Sequence, residues 1–500
     1  MLINNFRIMS TSFGIHVGNT SACLAVSKDG KTDVVANPTG DRTTPAIVAF
    51  QDTEIIVGLA AKQGKIRNMS NTILNNKGLV VGKVEQELLD KSAVTITESN
   101  GQYTYEVDFK EKEYFVSPSA VLGHIYKYVH DIADTHCANI SDSNCVLTVP
   151  LSYTEEQRNI VKNTADKAGF KVMQVISEPV AACLAYGLGQ IEPSERYHCL
   201  VFRVGGLTMS VTMILVAGGC YTVLASKDFN IGGEQVTDVL VQYLGNEFKQ
   251  KYKEDILKNK RGRAKLAAQA ETVKHVLSTL DTAHCYVESL FDGMDFSSNV
   301  TRARFDNQLS KVLSDLMSPI SALLTESNLL ASDISKVILA GGSTKVTKIQ
   351  SALSSMFPQA EMMSSLAPDE VIAIGAAVQA SYITKETTKH VNEKLLAISK
   401  DIVAVVEGRE EDVVVVVQDS TLPVKRSVPL TPLPDTDSIT VMICWGERSS
   451  VLTSLSLSPI SNKSKLSLSV HIHRDGSSHI TLADKTSGSS SDCVLKAAGA

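Results

Sequence analysis

No apolar run in these 500 residues approaches the roughly 18 that a membrane-spanning helix needs, so no transmembrane helix is expected. Cysteine pairing is missing too. The nine cysteines are an odd number, scattered singly from Cys23 to Cys493 without a CxxC pair, which argues for reduced thiols in the cytosol rather than a disulfide framework. There is no excess of basic residues: the formal net charge is −6 and the pI about 6.0. An overall electrostatic grip on nucleic acid, and sequence-specific binding to it, are therefore not expected. Residues 1–10, MLINNFRIMS, are too short and too polar for a signal peptide and read as a loose extension, with Met9 an equally good start. What remains is an ordinary globular composition, 43% hydrophobic and 20% charged, in a chain long enough for more than one domain.

Two stretches share one grammar. Phe13 to Val26, FGIHVGNTSACLAV, reads as a strand, a glycine turn and a second strand, and Leu200 to Leu215, LVFRVGGLTMSVTMIL, repeats the pattern around Gly205, Gly206 and Thr208. Such turns line up backbone N–H groups that can hold an anion, most often a phosphate. A plain hairpin with no ligand is the alternative, but two matched copies favour one phosphorylated ligand clasped from both sides.

Between and after these hairpins, strands and helices alternate, which implies an α/β sheet with helices on its faces. From Ser117 a helix is expected with Val121, Leu122, Ile125, Tyr128, Val129 and Ile132 inward. Thr154 and Gln157 form a capping-box pair for the next helix, whose inner face would be Ile160, Val161, Thr164, Ala165 and Ala168, stopping near Gly169. Pro179 fits the first turn of a short helix ending at Gly187 or Gly189. A long lysine-rich helical tract is expected from Val236 to Leu280, and Lys336 to Lys345, KVILAGGSTK, reads as a strand ending in a glycine turn. After Thr384 the polar segment KETTKHVNE and the cluster Leu395, Leu396 and Ile398 read as a linker. From Asp401 strand patterns take over, with RDGSS at Arg474 to Ser478 as a hairpin turn. A small all-β domain is expected there.

The strings NPTGDRTTPAIVAF, SNTILNNKGLVVG, VLTVPLSYTEEQRNIVKNTADKAGF, ISEPVAACLAYGLG, NIGGE, VILAGGSTKVTKIQ and APDEVIAIGAAVQA, in this order, resemble the heat shock protein 70 family, the DnaK-type chaperones, over essentially the whole length. The resemblance implies a bilobal actin-like (ribonuclease H-like) nucleotide-binding domain at 11–383, a linker at 384–400 and a truncated β-sandwich substrate-binding-like domain at 401–500. ATP or ADP is the implied ligand. By matching positions, Gly18, Asn19 and Thr20 would meet the phosphates on one side and Gly205, Gly206 and Thr208 on the other. Lys77 matches the family's catalytic lysine and Glu178 the carboxylate near the metal and attacking water. Gly232, Gly233 and Glu234 belong to NIGGE at the cleft. Glu271, Lys274, Ser278, Gly341, Gly342, Ser343 and Lys345 fall where the adenosine is held, and Asp369 at the end of the cleft. Pro150 and Arg158 match the family's nucleotide switch. Lys345 and His275 stand where arginine is usual.

The departures point away from hydrolysis. His16 and Arg203 replace aspartates, Ser210 a third carboxylate, Asn19 a threonine, and Leu207 the last glycine of a triplet. Carboxylate oxygens place magnesium and water well, whereas a histidine and an arginine repel the metal, which leaves magnesium open as a cofactor. An arginine can instead neutralise phosphate directly, so the expectation is a nucleotide-binding pseudo-ATPase. The chain also stops after the strands where ordinary members continue into a helical lid. Both departures resemble the lidless branch of the ribosome-associated complex. That implies a J-domain co-chaperone, the ribosome with its nascent chains, a conventional heat shock protein 70 stimulated alongside, a cytosolic location, and protein folding and stress response as context.

Rival readings remain beside this one. An active ATP-driven foldase would rely on Lys77, Glu178 and Asp369; a small-molecule kinase of the same superfold is a remoter choice, to which the linker and β-domain are foreign. His471 and His473 have the HxH spacing of some metal sites, but with no third ligand in view they read as solvated. The basic run Phe248 to Lys265 reads as a solvated helical face, with ribosomal RNA contact as its other reading. Val413 to Val417 reads as a buried strand.

Overall fold

The computed structural model describes residues 11–496 apart from 29, 83–85, 87–88, 90–91, 100, 138–142, 191–195, 218, 388–397, 399, 410, 419, 421, 435, 463 and 474–475. The N-terminal extension, most of the expected linker including Leu395 and Leu396, and Arg474 with Asp475 of the RDGSS turn lie outside the described residues. The chain forms two compact units, Met1–Thr388 and Lys389–Ala500.

In the first unit the duplicated hairpin grammar becomes a duplicated sheet. β1 (Ser12–Val17), β2 (Ser21–Lys28) and β3 (Lys31–Val34) form an antiparallel meander, β4 (Thr44–Pro45) pairs with β2, and β5 (Asn144–Val149) and β6 (Lys171–Ser177) extend the sheet in parallel from β1. Helices α1 (Lys77–Val80), α2 (Pro118–Cys137), α3 (Glu155–Lys167) and α4 (Glu178–Ala185) accompany it. The second sheet repeats this order with β7 (Arg196–Val204), β8 (Met209–Ala217), β9 (Cys220–Phe229), β10 (Ile334–Ala340) and β11 (Glu361–Met363). Helices α5 (Gly233–Tyr252) and α6 (Lys260–Leu277) follow its hairpin. Parallel strands have both faces covered, and Cys145, Val146 and Leu147 are accordingly fully buried.

Several local expectations change. Tyr126, not Tyr128, joins Val121, Leu122, Ile125, Val129 and Ile132 on the buried face of α2, because Tyr128 sits three positions from Ile125 but turned off the 121–125–129 row. The capping box at Thr154 forms, yet Ile160 and Ala168 are only half-buried and Val161, Thr164 and Ala165 alone make the buried face. Helix α4 ends at Ala185, before Gly187. The lysine-rich tract is two helices rather than one: Lys253 takes a left-handed conformation at φ 63°, and the Asn259 side chain accepts from the Gly262 N–H to start α6 afresh.

Helix α7 (Val371–Thr387) ties the two sheets together, and its last turn contains Thr384 to Thr387, where the linker was expected to begin. It packs on β1 and α4 with backbone touching backbone. A Cβ on Gly14 would lie 2.1 Å from the Ala377 nitrogen, and one on Gly375 would lie 1.7 Å from the Ala181 oxygen.

The second unit is all antiparallel strand among the described residues. β12 (Ile402–Val406), β13 (Val413–Val416), β15 (Ile439–Trp445) and β16 (Val451–Leu457) form one sheet in the order β13-β12-β15-β16. β14 (Val424–Leu430), β17 (Leu466–Ile472), β18 (Ser478–Asp484) and β19 (Ser490–Leu495) form the other. Alternating residues such as Ala404, Val441, Ile443, Leu468, Val470 and Leu482 fill the layer between them, and Ile398 joins this core. The valine run is an edge strand rather than a buried one. A register shift between Ile402 and Val403 turns Val415 and Val416 inward and leaves Val414 and Val417 about half exposed. The rings of His471 and His473 lie 4.1 Å apart, and among the described residues no group of three or more metal-ligating side chains forms.

The zero-clearance contact at α7 generates a first expectation. Gly375→Ala forces helix α7 off α4 and lowers the stability of the first unit by about 3 kcal/mol or more, read as a drop in the urea unfolding midpoint.

Candidate functional site

Both hairpin turns close in the same way. The Gly18 N–H donates to the Ser21 carbonyl at 2.8 Å, and the Gly205 N–H donates to the Thr208 carbonyl at 2.9 Å. The turns face one another. Asn19 Nδ2 donates to Thr208 Oγ1 at 3.3 Å, and a Cβ on Gly206 would lie 2.6 Å from Thr20 Oγ1. The start of α5 buttresses the second turn: the Gly233 and Glu234 N–H groups donate to the carbonyls of Gly205 and Gly206, and a Cβ on Gly232 would meet the Gly205 oxygen at 2.7 Å. Those two N–H groups thus hold the loop.

At the foot of the turns lies one carboxylate between two cations. Glu178, 2% exposed at the start of α4, accepts from Lys77 Nζ through Oε1 at 2.8 Å and from Arg203 Nε through Oε2 at 2.8 Å. Arg203 is itself 6% exposed and reaches Thr208 Oγ1 through Nη1 at 3.2 Å. Burial alone would raise the Glu178 pKa, but Arg203 first, then Lys77, hold it down to about 2. Burial lowers Lys77 from its ordinary value, with Glu178 opposing. His16 sits beside them, its Nδ1 3.0 Å from Thr148 Oγ1 and 3.9 Å from Glu178 Oε1. Burial lowers its pKa from 6.5 to about 3, so it is neutral at pH 7 and makes no ion pair with Glu178. The cluster of Lys77, Arg203, Glu178 and His16 therefore carries a net charge of +1.

A second cluster lies on α5 and α6. Lys274, buried, donates to the Gly233 carbonyl, Thr237 Oγ1 and Glu271 Oε2 at 3.2, 2.9 and 2.6 Å. Burial works to raise the Glu271 pKa, yet bonds from His275, Lys274 and Thr237 hold its carboxyl well below the usual range. Ser278 spends its hydroxyl on the Lys274 carbonyl at 3.0 Å. Near the other wall Gly341 takes φ 84° against the Val204 carbonyl, and Ser343 Oγ donates to the Gly205 carbonyl at 2.9 Å. Lys345 Nζ binds Asp369 Oδ2 at 2.7 Å, while Asp369 Oδ1 is buried with no partner. A Cβ built on Gly342 would meet nothing closer than the Asp369 Cβ at 3.9 Å.

The structure thus gathers Gly18, Asn19, Thr20, Gly205, Gly206, Thr208, Lys77, Glu178, His16 and Arg203 at one end, with Ser343 bonded to the second turn. Ser210 lies across from Arg203 in the β7–β8 ladder. Pro150 and Arg158 do not bond to each other: the Pro150 carbonyl accepts from the Tyr153 N–H and the Tyr153 carbonyl from Arg158 Nε. Thr148 and Thr237 were missed from the sequence, although a hydroxyl inside the apolar run CVLTV was a visible signal for the first.

The donor set decides which absent groups fit. Both oxygens of Glu178 are engaged by cations, His16 is neutral, and no cluster of described residues could hold a metal ion, so a magnesium ion does not fit beside Glu178. Phosphate does fit, because the buried Arg203 and the half-buried Lys77 lie under two glycine turns.

Two sheets that share a five-strand order, the first with one added strand, meet at two facing phosphate-type turns and define an actin-like nucleotide-binding fold, here followed in the chain by a β-sandwich. The family described as Hsp70 protein matches residues 12–499, and this chain belongs to that chaperone family. It is 38% identical over 504 residues to Heat shock 70 kDa protein 14 of Danio rerio, covering 98% of this chain and 99% of that protein. Heat shock 70 kDa protein 14-B of Xenopus laevis is 38% identical over 499 residues, 96% of this chain and 98% of its own length. The Homo sapiens protein named Heat shock 70 kDa protein 14 is 42% identical over 392 residues, 77% of this chain and 76% of its own length. Hsp70 family proteins bind ATP or ADP and typically work with J-domain co-chaperones and client polypeptides. Among the described residues no helix is long and apolar enough to cross a membrane.

His16 makes the cleft acid-sensitive. Its folded pKa lies below its unfolded one, so between 6.5 and about 3 the unfolded chain binds a proton that the folded chain refuses, and falling pH favours unfolding. Glu178 adds stability that is present above 4.5 and lost as pH falls toward about 2. His16→Gln removes the first effect alone: between pH 6 and 5 the variant loses less stability on acidification than the parent, by up to about 1.4 kcal/mol per pH unit in urea unfolding.

Proposed function

We propose that this Hsp70 chaperone holds ATP as a structural ligand with little or no hydrolysis. The observation that carries the reading is Arg203 Nε at 2.8 Å from Glu178 Oε2. A guanidinium occupies the ground where the resemblance puts a metal-serving aspartate, and the carboxylate that would orient an attacking water is spent on it. In-line phosphoryl transfer needs a positioned water and charge neutralisation of the terminal phosphate. Lys77 and Arg203 supply the second and leave no group for the first. Gly18, Asn19, Thr20, Gly205, Gly206 and Thr208 hold the phosphates, Gly232, Gly233 and Glu234 brace the second turn, and Glu271, Lys274, Ser278, Gly341, Gly342, Ser343, Lys345 and Asp369 hold the adenosine.

With nucleotide fixed, the domain that ends in helix α7 acts as a rigid binding domain and the β-sandwich as a docking domain, joined by the polar segment that follows Thr387. The β-domain has an apolar cavity of about 180 Å3 lined by Ile402, Leu422, Trp445, Leu452, Ile472 and Leu495, suited to a short apolar segment. The partner is a J-domain co-chaperone, and the pair assists nascent polypeptides at ribosomes in the cytosol, beside a conventional Hsp70. This rests on the resemblance to the branch of the family found in the ribosome-associated complex.

Isothermal titration with ATP is expected to give binding of similar strength in magnesium and in EDTA, and a single-turnover assay is expected to show no release of terminal phosphate. Turnover at the rate of an ordinary family member overturns the reading. Tagged protein is expected to cosediment with ribosomes and to bring a J-domain protein with it.

A further inference from the structure

We propose that Glu178 is an internal competitor of the nucleotide's phosphates: in the nucleotide-free protein it occupies the two cations that the phosphates need. The inference rests on the proposed nucleotide-holding reading. The residue is thereby assigned a role opposite to a catalytic carboxylate.

Geometry and charge carry it. Lys77 Nζ and Arg203 Nε each lie 2.8 Å from a different oxygen of Glu178, so the carboxylate is bidentate in the way a bound phosphate would be. Arg203 also reaches Thr208 Oγ1, and Thr208 is bonded to Asn19, so the clamp is wired into both glycine turns. No second carboxylate is paired with either cation among the described residues, and His16 beside them is neutral. Glu178 is therefore the carboxylate that pairs directly with both cations, and Asp228 acts on Lys77 only as a weaker, unpaired charge.

The clamp also joins the two sheets, because Glu178 directly follows β6 of the first sheet while Arg203 lies on β7 of the second. An entering phosphate draws Lys77 and Arg203 toward itself and relieves the carboxylate of one or both bonds. Nucleotide binding is thus an exchange of anions on a fixed pair of cations. Arg203 has five donors and Nε and Nη1 are engaged, so the exchange can pass through a state in which guanidinium touches both anions.

The competing role is a positioning one, in which Glu178 aims Lys77 and Arg203 at the ligand. The two predict opposite signs. If Glu178 competes, Glu178→Gln tightens ATP; if it positions, the same change weakens it. The experiment is titration calorimetry of the full chain in EDTA with ATP, ADP and adenosine, together with thermal melts with and without each ligand.

For Glu178→Gln the expected result is an ATP Kd lower by at least about tenfold, or ~1.4 kcal/mol, a smaller gain for ADP, and no change for adenosine. Its melting temperature without ligand falls, and the rise on adding ATP exceeds that of the parent. The gradation with phosphate number separates a local charge effect from general loosening. Should Glu178→Gln not fold, Glu178→Asp keeps the charge but is one methylene too short for both partners, and its ATP Kd is expected to fall by about threefold. An ATP Kd that is unchanged or higher in the folded variant overturns the inference while leaving nucleotide binding intact. No ATP binding in parent and variant alike overturns the nucleotide reading as well, and binding in the variant alone supports competition.

Discussion

A single carboxylate, Glu178, taken out of water and given two cations, sets the terms for the cleft around it. Burying a charge is costly unless it is paired and hydrogen-bonded, and here the pairing is complete at both oxygens. The arrangement holds the end of β6, the short helix carrying Lys77 and strand β7 to one point. It also explains why His16 is tolerated so close by. A neutral imidazole bonded to Thr148 adds no charge to a pocket that already has an excess positive one.

An actin-like cleft with a cationic floor has a different chemistry from one with a carboxylate floor. Carboxylates recruit a hydrated metal, and the metal recruits the phosphates with a water in hand. Lysine and arginine recruit the phosphates directly and bring no nucleophile. The fold is the same in the two cases, and on the proposed reading it is side chains such as His16, Arg203 and Ser210 that change what it does. The glycine turns, by contrast, are indifferent to that choice, since backbone amides serve an anion whether or not a metal accompanies it.

Much of this was legible in the sequence. The two hairpins read as copies, and they prove to head two sheets of identical strand order, because an apolar run, a glycine turn and another apolar run leave the chain few alternatives. The family resemblance placed Lys77, Glu178 and Arg203 in one cleft. What the sequence did not carry was contact over long separations. Nothing in residues 77, 178 and 203 shows that one carboxylate binds both cations, since that depends on how two sheets approach. Local patterns failed where tertiary packing overrode them: Tyr126 displaced Tyr128 on the α2 face, and the lysine-rich tract broke where Lys253 turned left-handed and Asn259 could cap a new helix. The valine run looked buried because its composition is uniform, and only the register shift opposite Ile402 and Val403 decides which valines face water.

Helix α7 crosses between the sheets with no layer of side chains at Gly14 and Gly375. Most moving parts in proteins slide on interdigitated side chains, which must hop rotamers as they pass. Here the closest approach at Gly14 and Gly375 is backbone on backbone, so neither point can accept a side chain without forcing the elements apart. The charges of Lys77, Glu178 and Arg203 sit on side chains outside these two contacts, so they can change without disturbing the backbone packing.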